Sequence, residues 1–213
     1  MNKNLLKVYK SFLHKEGNQY IASEYAVQKI YKIIKTFDIT HVLEVGLGIG
    51  SISGSILAVN NNIQYSGTES NPFCKKALER NLGTKINYLT VFDDITSIAG
   101  IKPIEFLIID GADNSLRGVK ELLNQHAIIV IEGDRTPQLK VLRELFPYHK
   151  YVHSISLKKN SGSGPFKEGT WQGGLKIIFI DPTWKQKIWW AREKLLTKLK
   201  YQYPGRYFGS TTD

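Results

Sequence analysis

The sequence predicts an α/β fold in which seven strands form a doubly wound, mostly parallel sheet with helices on both faces and an antiparallel carboxyl-terminal hairpin. Two observations predict this fold. Short apolar runs alternate with stretches of helical periodicity up to about residue 145, as in parallel strands joined by crossover helices. Two further runs, 151–157 and 174–180, have no helical pattern between them. Strands joined without a crossover helix pair antiparallel.

Each element has a local signal. A helix is expected over 22–37, with Ser23 as its N-cap, because apolar residues recur there at helical spacing. Pro72 after Asn71 suits the first position of another helix. The predicted parallel strands are 41–45, 63–68, 86–91, 104–109 and 127–131. The helices predicted between and after them are 51–60, 72–82, 115–124 and 138–145.

The length of 213 residues fits one domain with a sizeable core. We divide it into a helical extension (1–38), a sheet core (39–181) and a basic amphipathic helix with a tail (182–213). The single cysteine, Cys74, excludes a disulfide framework and a cysteine zinc site. No apolar run has the length of a transmembrane helix. We therefore expect a cytoplasmic protein, with the inner membrane face as a possible peripheral location.

The formal net charge of +10 favours anionic partners: small anionic molecules, nucleic acid or lipid headgroups. Both ends are basic and amphipathic, and the tail 201–208 is aromatic and could stack on bases. Such helices pack on their own domain or on a second subunit, or they contact a membrane surface. The oligomeric state stays open. In the carboxyl-terminal helix, predicted over 184–200, the expected apolar stripe is Trp184, Ile188, Trp189, Leu195, Leu196 and Leu199.

The segment after the first predicted strand carries the strongest functional signal. Glu44 is followed by Gly46, Gly48 and Gly50, and a predicted helix begins at Ser51. A strand, a glycine loop and a helix N-terminus together hold nucleotide-like ligands. A dinucleotide fingerprint would place its third glycine at position 51. The segment instead resembles motif I of the class I S-adenosylmethionine-dependent methyltransferases, and the layout of 22–181 resembles their Rossmann-like fold.

Acidic residues follow each of the first five predicted strands, at the edge where open α/β sheets bind ligands. The resemblance implies that Glu69 binds the ribose hydroxyls. It also implies that Asp93 or Asp94 binds the adenine amino group, and Asp93 is preferred by position. An N-cap role stays open for one of these two aspartates. Glu44 orients the glycine loop or meets the methionine ammonium group. The cofactor-binding residues predicted in this way are Glu44, Gly46, Gly48, Gly50, Ser51, Glu69, Ser70, Asp93, Asp94 and Asp110.

The resemblance also implies the catalytic set Asp110, Asp134 and Arg135. Asp110 would face the transferable methyl group, and either aspartate could act as general base. Arg135 could hold a phosphate or carboxylate, or pair with a neighbouring acid. In metal-dependent relatives an acid at Asp110 and an Asp-Asn pair after the fifth strand bind a divalent cation. This sequence lacks that pair, so a Mg²⁺ site at Asp110, Glu132 and Asp134 is an open alternative to a metal-free site.

The function implied is methyl transfer (EC 2.1.1) from S-adenosyl-L-methionine to an oxygen of a small acceptor, anionic or of sugar or secondary-metabolite type. An RNA or protein methyltransferase is an alternative because the ends are basic. There are two further alternatives: a nicotinamide-dinucleotide-binding protein, and a non-catalytic nucleotide-binding module of the same fold. The Gly- and Ser-rich connector 158–173 is either a lid over the site or a mobile surface loop.

Overall fold

A computed structural model describes residues 2–202, and its centre is a seven-stranded sheet in the order β3-β2-β1-β4-β5-β7-β6. Strands β1 to β5 run parallel, and β7 runs antiparallel to β5 and β6. The predicted fold class is therefore confirmed. The strands are β1 (His41–Val45), β2 (Gln64–Thr68), β3 (Leu89–Phe92), β4 (Ile104–Ile109), β5 (Leu123–Glu132), β6 (Lys150–Ile155) and β7 (Gly174–Phe179). The helices are α1 (Lys3–Phe12), α2 (Glu24–Phe37), α3 (Ser51–Leu57), α4 (Pro72–Leu82), α5 (Thr136–Leu145) and α6 (Trp184–Gln202).

One predicted crossover helix is wrong. The segment expected to be α-helical over 115–124 forms only a short 3₁₀ helix, Leu116–Glu121, and β5 begins directly after it at Leu123. Leu116 and Val119, three positions apart, are both buried, and a helix with three residues per turn places them on the same side. A second 3₁₀ helix, Gly83–Tyr88, delays the start of β3 to Leu89.

The sheet has a buried cluster of apolar side chains on each face. Helices α1, α2, α3, α4 and α6 contribute to one cluster, and α5 with the 3₁₀ helices Ile95–Ser97 and Leu116–Glu121 contributes to the other. Side chains alternate between faces along a strand. By this alternation Glu44 at the end of β1, Asp110 just after β4 and Glu132 at the end of β5 share the face that α1 and α2 cover. The fold thus gathers three acidic side chains at one sheet edge.

The amphipathic α1 is part of the core. Its apolar side chains Leu5, Tyr9 and Phe12 are buried, and the Tyr9 hydroxyl donates to the Ala22 carbonyl oxygen at 3.0 Å. The segment predicted as a basic amphipathic end therefore packs on its own domain. None of the helices described within residues 2–202 combines the length and the apolar character that a membrane span requires.

The expected apolar stripe of α6 is wrong. Trp189 is buried, whereas Trp184, Ile188 and Leu195 are exposed. At about 100° per residue the six residues span about 140° of the helix, and the buried side, which holds Gln186, Glu193 and Thr197, overlaps only the Trp189 end of that span. The aromatic tail predicted over 201–208 extends beyond Gln202, and positions 203–208 lie outside the described residues.

Candidate functional site

The three glycines after β1 serve two different purposes. Gly46 has a φ of +88°, and a Cβ atom there would lie 2.4 Å from the Gly111 Cα atom. Gly50 has a φ of +89°, and its Cβ would lie 2.5 Å from Leu82 Cδ1. Gly48 has a φ of +54°, but a Cβ there would meet nothing within 4 Å. The outer two glycines therefore permit close packing, while the central glycine leaves open space.

Glu69 is fixed against this loop. Its Oε2 accepts a hydrogen bond from the Gly48 backbone N–H at 2.8 Å, and its Oε1 accepts one from the Asn71 N–H at 2.8 Å. A carboxylate oxygen can accept about two hydrogen bonds, so each retains capacity for a further donor. Two adjacent hydroxyl groups are donors of the right kind for such a carboxylate.

A cleft of about 410 Å³ opens at the carboxyl ends of β1, β2 and β4. Its lining includes five residues predicted from the sequence: Gly46, Glu69, Ser70, Asp93 and Asp94. The lining residues that the sequence did not single out are Thr68, Ala112, Asp113, Asn114 and Ser115. Most of these directly follow β4, so their place after a predicted strand was the available signal. Ser51, also predicted, is buried at the start of α3 and does not line this cleft.

A slightly larger cavity, about 440 Å³, lies elsewhere on the sheet. Its walls include His41, Gln64 and Ile104, which are the first residues of β1, β2 and β4. Ligands of open α/β sheets bind outside the carboxyl ends of the strands. We therefore place the site in the cleft beside Glu69 despite its smaller volume.

The two aspartates after β3 have different environments. Asp94 caps the short 3₁₀ helix Ile95–Ser97, and its Oδ1 accepts hydrogen bonds from Thr96 Oγ1 at 2.7 Å and the Ser97 N–H at 2.9 Å. These hydrogen bonds, that from Thr96 first, lower the pKa of Asp94. Among residues 2–202 Asp93 pairs only with Lys75, and 71% of its side chain is exposed. Asp94 thus has the N-cap role, and the Asp93 carboxylate is the more accessible to a ligand in the cleft.

Asp113 connects the loops after β3 and β4. Its Oδ2 accepts from the Ile95 N–H at 3.0 Å, and its Oδ1 accepts from the Ser115 N–H at 2.7 Å. Both carboxylate oxygens are used by backbone donors. Asp113 therefore shapes the cleft wall, a role that the sequence analysis missed.

Glu44 is fully buried beneath the glycine loop. Its Oε2 accepts a hydrogen bond from the Tyr65 hydroxyl at 2.5 Å, while its Oε1 has no hydrogen-bond partner among residues 2–202. Burial raises the pKa of Glu44 well above its usual value, and the charges of Asp110 and Glu69 raise it further. The Tyr65 hydroxyl lowers it, and the Ser53 backbone N–H lowers it more weakly. A buried oxygen without a donor is costly, so this oxygen would gain from a cationic or N–H group.

Asp110, Glu132 and Arg135 form a second polar group at the ends of β4 and β5. Arg135 donates from an Nη atom to the Asp110 carbonyl oxygen and, at 3.4 Å, to its Oδ1, and from Nε to the Glu132 carbonyl oxygen at 3.0 Å. Burial, followed by the Glu132 charge, raises the pKa of Asp110 well above its usual value, although Arg135 opposes this. Burial likewise raises the pKa of Glu132, whose Oε1 accepts from the Ser23 N–H at 3.3 Å.

Asp134 lies apart from these buried acids. Its side chain is 92% exposed, and its Oδ1 accepts hydrogen bonds from Thr136 Oγ1 at 2.9 Å and Lys176 Nζ at 3.3 Å. These hydrogen bonds, that from Thr136 first, lower the pKa of Asp134. Asp134 is therefore ionised and a weaker base than Asp110.

The predicted Mg²⁺ set of Asp110, Glu132 and Asp134 is not supported. Across the described residues, no group of three or more His, Cys, Asp or Glu side chains is arranged to hold a metal ion. The physical reason is that cations of the chain already lie against two of these carboxylates, Arg135 at Asp110 and Lys176 at Asp134.

The connector between β6 and β7 has internal structure. Residues Lys159 and Trp171 form an isolated antiparallel bridge, and the Asn160 N–H donates to the Thr170 carbonyl oxygen at 2.7 Å. Phe166 packs against the core cluster, and a Cβ at Gly164 would lie 2.9 Å from the Leu13 carbonyl oxygen. The connector is thus an arm that packs beside the end of α1.

Comparisons with known proteins give structural likeness alone. No family model matches the sequence, and no curated protein matches it. Similar solved structures include a provisionally named O-methyltransferase from Klebsiella pneumoniae, with a TM-score of 0.60, 11% identity and coverage of 85% of this chain and 91% of that one. An O-methyltransferase from Bacillus cereus in complex with S-adenosylhomocysteine has a TM-score of 0.58, 11% identity and coverage of 84% and 91%.

A third solved structure is similar to this chain to the same degree. The O-methyltransferase of tomaymycin synthesis from Streptomyces achromogenes, in complex with S-adenosylmethionine, has a TM-score of 0.58, 12% identity and coverage of 84% of this chain and 90% of that one. The chain therefore has the Rossmann-like fold of S-adenosylmethionine-dependent O-methyltransferases. At these identities the likeness defines the fold, and the function has to be argued from the site.

Proposed function

We propose that this protein is an S-adenosylmethionine-dependent methyltransferase that acts on an oxygen of a small acceptor. The observation that carries the proposal is the Glu69 carboxylate, which is held on the Gly48 N–H in a cleft at the carboxyl ends of the strands. A ligand with a ribose can donate both hydroxyls to this carboxylate. The same arrangement would suit other ribose-containing ligands. The choice of S-adenosylmethionine therefore depends on the other polar groups near Glu69.

The other groups of the site fit the two ends of S-adenosylmethionine. The accessible carboxylate of Asp93 suits the adenine amino group. Glu44 is fully buried and does not line the cleft, but one of its oxygens lacks a hydrogen-bond donor, and the ammonium group of the methionine part would satisfy it. The pyrophosphate of a dinucleotide would instead bring negative charge close to the buried carboxyls of Glu44 and Asp110, which is unfavourable.

The cofactor, when bound, supplies a methyl group on a sulfonium, which is electrophilic and leaves by in-line displacement. The chain has to bind the acceptor, align its oxygen and remove its proton. Asp110 is the better base, because its raised pKa gives the carboxylate a higher proton affinity than Asp134 has. Arg135 is a positioning residue, since its donors hold the backbone of Asp110 and Glu132 in place.

The acceptor is best matched by a small anionic molecule. The arm beside α1 carries the exposed lysines Lys158, Lys159 and Lys167, and the whole chain has a net charge of +10. Positive charge raises the local concentration of anionic substrates and speeds their association.

Calorimetric titration with S-adenosylhomocysteine tests the proposal. We expect micromolar binding by the wild-type protein, at least about tenfold weaker binding by Glu69→Ala, since a charge-assisted hydrogen bond contributes more than about 1.4 kcal/mol, and unchanged binding by Glu79→Ala. Glu79 is the matched control because it is an exposed glutamate on α4 that does not line the cleft. Tighter binding of NAD than of S-adenosylhomocysteine, or equal effects of the two substitutions, would refute the proposal.

A further inference from the structure

Helix α6 has the reverse of the usual distribution of side chains. Its buried residues are Gln186, Trp189, Glu193 and Thr197, three of them polar or charged. Its outward side presents Trp184, Ile188 and Leu195, whose exposed fractions are 76%, 56% and 58%. Isolated exposed apolar residues are ordinary, but here they recur at helical spacing. With Ala191 they lie within an arc of about 60° on the helix surface.

The polar side of α6 is held in place by specific partners. Lys29 Nζ, from α2, donates to Glu193 Oε1 at 2.5 Å, and Ser154 Oγ, from β6, donates to the same oxygen. Farther along the helix, Gln186 Nε2 donates to the His126 carbonyl oxygen at 2.8 Å. These contacts fix the rotation of the helix. The apolar residues therefore face outward because of the fold, and turning them inward would leave Lys29 buried without its partner.

Basic residues flank the apolar arc on both sides, and we call the arc and its flanks the α6 outer face. Lys187, Lys194 and Lys198 lie on one side of the arc, and Lys185 and Arg192 on the other. Of these five residues only Lys185 has an ion-pair partner among residues 2–202, Asp38 at 3.6 Å. The only acidic residue of α6, Glu193, points inward. The α6 outer face is thus apolar along its centre and cationic along both edges.

We propose that the α6 outer face docks the protein on an anionic lipid surface. The cationic edges of the α6 outer face are complementary to the negative charge of such a surface. Interfacial helices insert an apolar line, often with tryptophan, below the headgroups, while flanking lysine and arginine residues meet anionic headgroups. The long lysine side chains can reach the headgroups while the helix lies in the plane of the surface.

A second copy of the chain fits this face less well. A two-fold symmetric dimer pairs a surface with itself, so the cationic edges of one α6 would face those of the other. Like charges across an interface oppose association. The inference concerns a surface outside the cofactor cleft, so it does not depend on the proposed methyl transfer.

Vesicle co-sedimentation of the full chain tests this inference. We expect binding to phosphatidylcholine vesicles that contain about a third phosphatidylglycerol, and little binding to phosphatidylcholine alone. Replacing Lys187, Lys194 and Lys198 together by glutamine should weaken binding roughly a hundredfold at low salt, because each lysine near an anionic surface contributes about a fivefold increase in affinity. The combined variant Trp184→Ser, Ile188→Ser, Leu195→Ser should also lose binding, since it removes the inserting line.

A matched control removes the same charge elsewhere. The combined variant Lys3→Gln, Lys7→Gln, Lys10→Gln lowers the net charge equally, but α1 buries its apolar side. We expect this control to retain most of the vesicle binding. Circular dichroism melting checks that each variant is folded, which is expected because every replaced residue is exposed.

Three results would overturn the inference. If the serine variant binds vesicles as well as the wild-type protein does, charge alone attracts the protein to vesicles. If the α1 control loses as much vesicle binding as the α6 lysine variant does, no particular face of the protein is used. Light scattering that shows a dimer dissociated by Ile188→Glu, together with no vesicle binding, would assign the α6 outer face to self-association.

Discussion

Gly46 and Gly111 pack backbone against backbone at the ends of β1 and β4. A Cβ built on Gly46 would lie 2.4 Å from the Gly111 Cα atom, and one built on Gly111 would lie 2.6 Å from the Gly46 Cα atom. The two loops that border the cleft therefore touch without any side chain between them. This contact positions the first glycine of the proposed cofactor loop against the segment that begins with Asp110, the residue that we propose as the base toward the acceptor.

Gly46→Ala should destabilise the protein by about 3 kcal/mol, because it combines a backbone clash with a residue at positive φ. Gly100→Ala separates the two causes. Gly100 also has a positive φ, +70°, but a Cβ there would meet nothing within 4 Å. We expect that control to lose only about 1 kcal/mol. Urea unfolding of both variants measures the difference, and equal losses would show that the contact with Gly111 is easily relieved.

Glu44→Gln should stabilise the protein at neutral pH. Folding raises the pKa of Glu44 above its unfolded value of about 4.3, so the folded protein binds more protons than the unfolded chain. This contribution to stability is full below about pH 4 and is lost as the pH rises toward the folded pKa. Glutamine does not titrate, and its amide oxygen can still accept from Tyr65.

The stability gained by Glu44→Gln should therefore grow as the pH rises above the unfolded pKa of about 4.3 and level off above the folded pKa. Urea unfolding at several pH values measures it, and the other titrating groups are common to both proteins. A constant difference at all pH values would contradict the expected linkage. We expect weaker binding of S-adenosylmethionine by the same variant, because the neutral amide replaces a carboxyl group that can compensate the ammonium charge.

Arg135→Ala should destabilise the protein by about 2 kcal/mol, because it leaves the buried Asp110 carboxylate without its cation. This is below the full effect of breaking a buried pair, since the Arg135 side chain is 27% exposed and its contact with Oδ1 spans 3.4 Å. Arg117→Ala is the control, because Arg117 pairs with Glu144 on the surface and 64% of its side chain is exposed. That control should change the free energy of unfolding by less than about 0.5 kcal/mol.

Removal of Arg135 should also raise the pKa of Asp110 further, because in the wild-type protein the positive charge of Arg135 lowers that pKa. The pH at which an Asp110-dependent activity reaches half its maximum would then rise. An unchanged pH profile together with the stability loss would leave Arg135 a purely structural residue. An unchanged stability would mean that water replaces the guanidinium without cost.

Local patterns made much of this molecule predictable. Three signals depend on neighbours in sequence: the glycine spacing after β1, Pro72 at the start of α4 and the spacing from Gly50 to Glu69. The hydrogen bond from the Gly48 N–H to Glu69 was not predicted from them. Other features depend on partners far along the chain. The Tyr65 hydroxyl meets Glu44 only through the register of β1 and β2, and Arg135 meets Asp110 only because β4 and β5 are adjacent.

The orientation of α6 shows the same limit. Hydrophobic periodicity places apolar residues inward, but it carries no information about a buried polar partner. Here Lys29, 164 positions before Glu193, attracts a charged residue into the interior. The inward side of α6 was therefore unpredictable without the position of α2.

The Lys29–Glu193 ion pair should show strong coupling. The two side chains are only 9% and 5% exposed, and Lys29→Met leaves Glu193 buried with Ser154 as its remaining donor. We expect a loss of about 3 kcal/mol for that single substitution. The double variant Lys29→Met, Glu193→Leu should recover much of this loss, because it removes both charges from the interior. Lys185→Ala, which breaks an exposed pair with Asp38, should change stability by less than about 0.5 kcal/mol. Denaturant unfolding of the wild type, the single variants Lys29→Met and Glu193→Leu and the double variant gives the coupling energy. Additive losses in the double variant would mean that the pair does not fix α6 against α2.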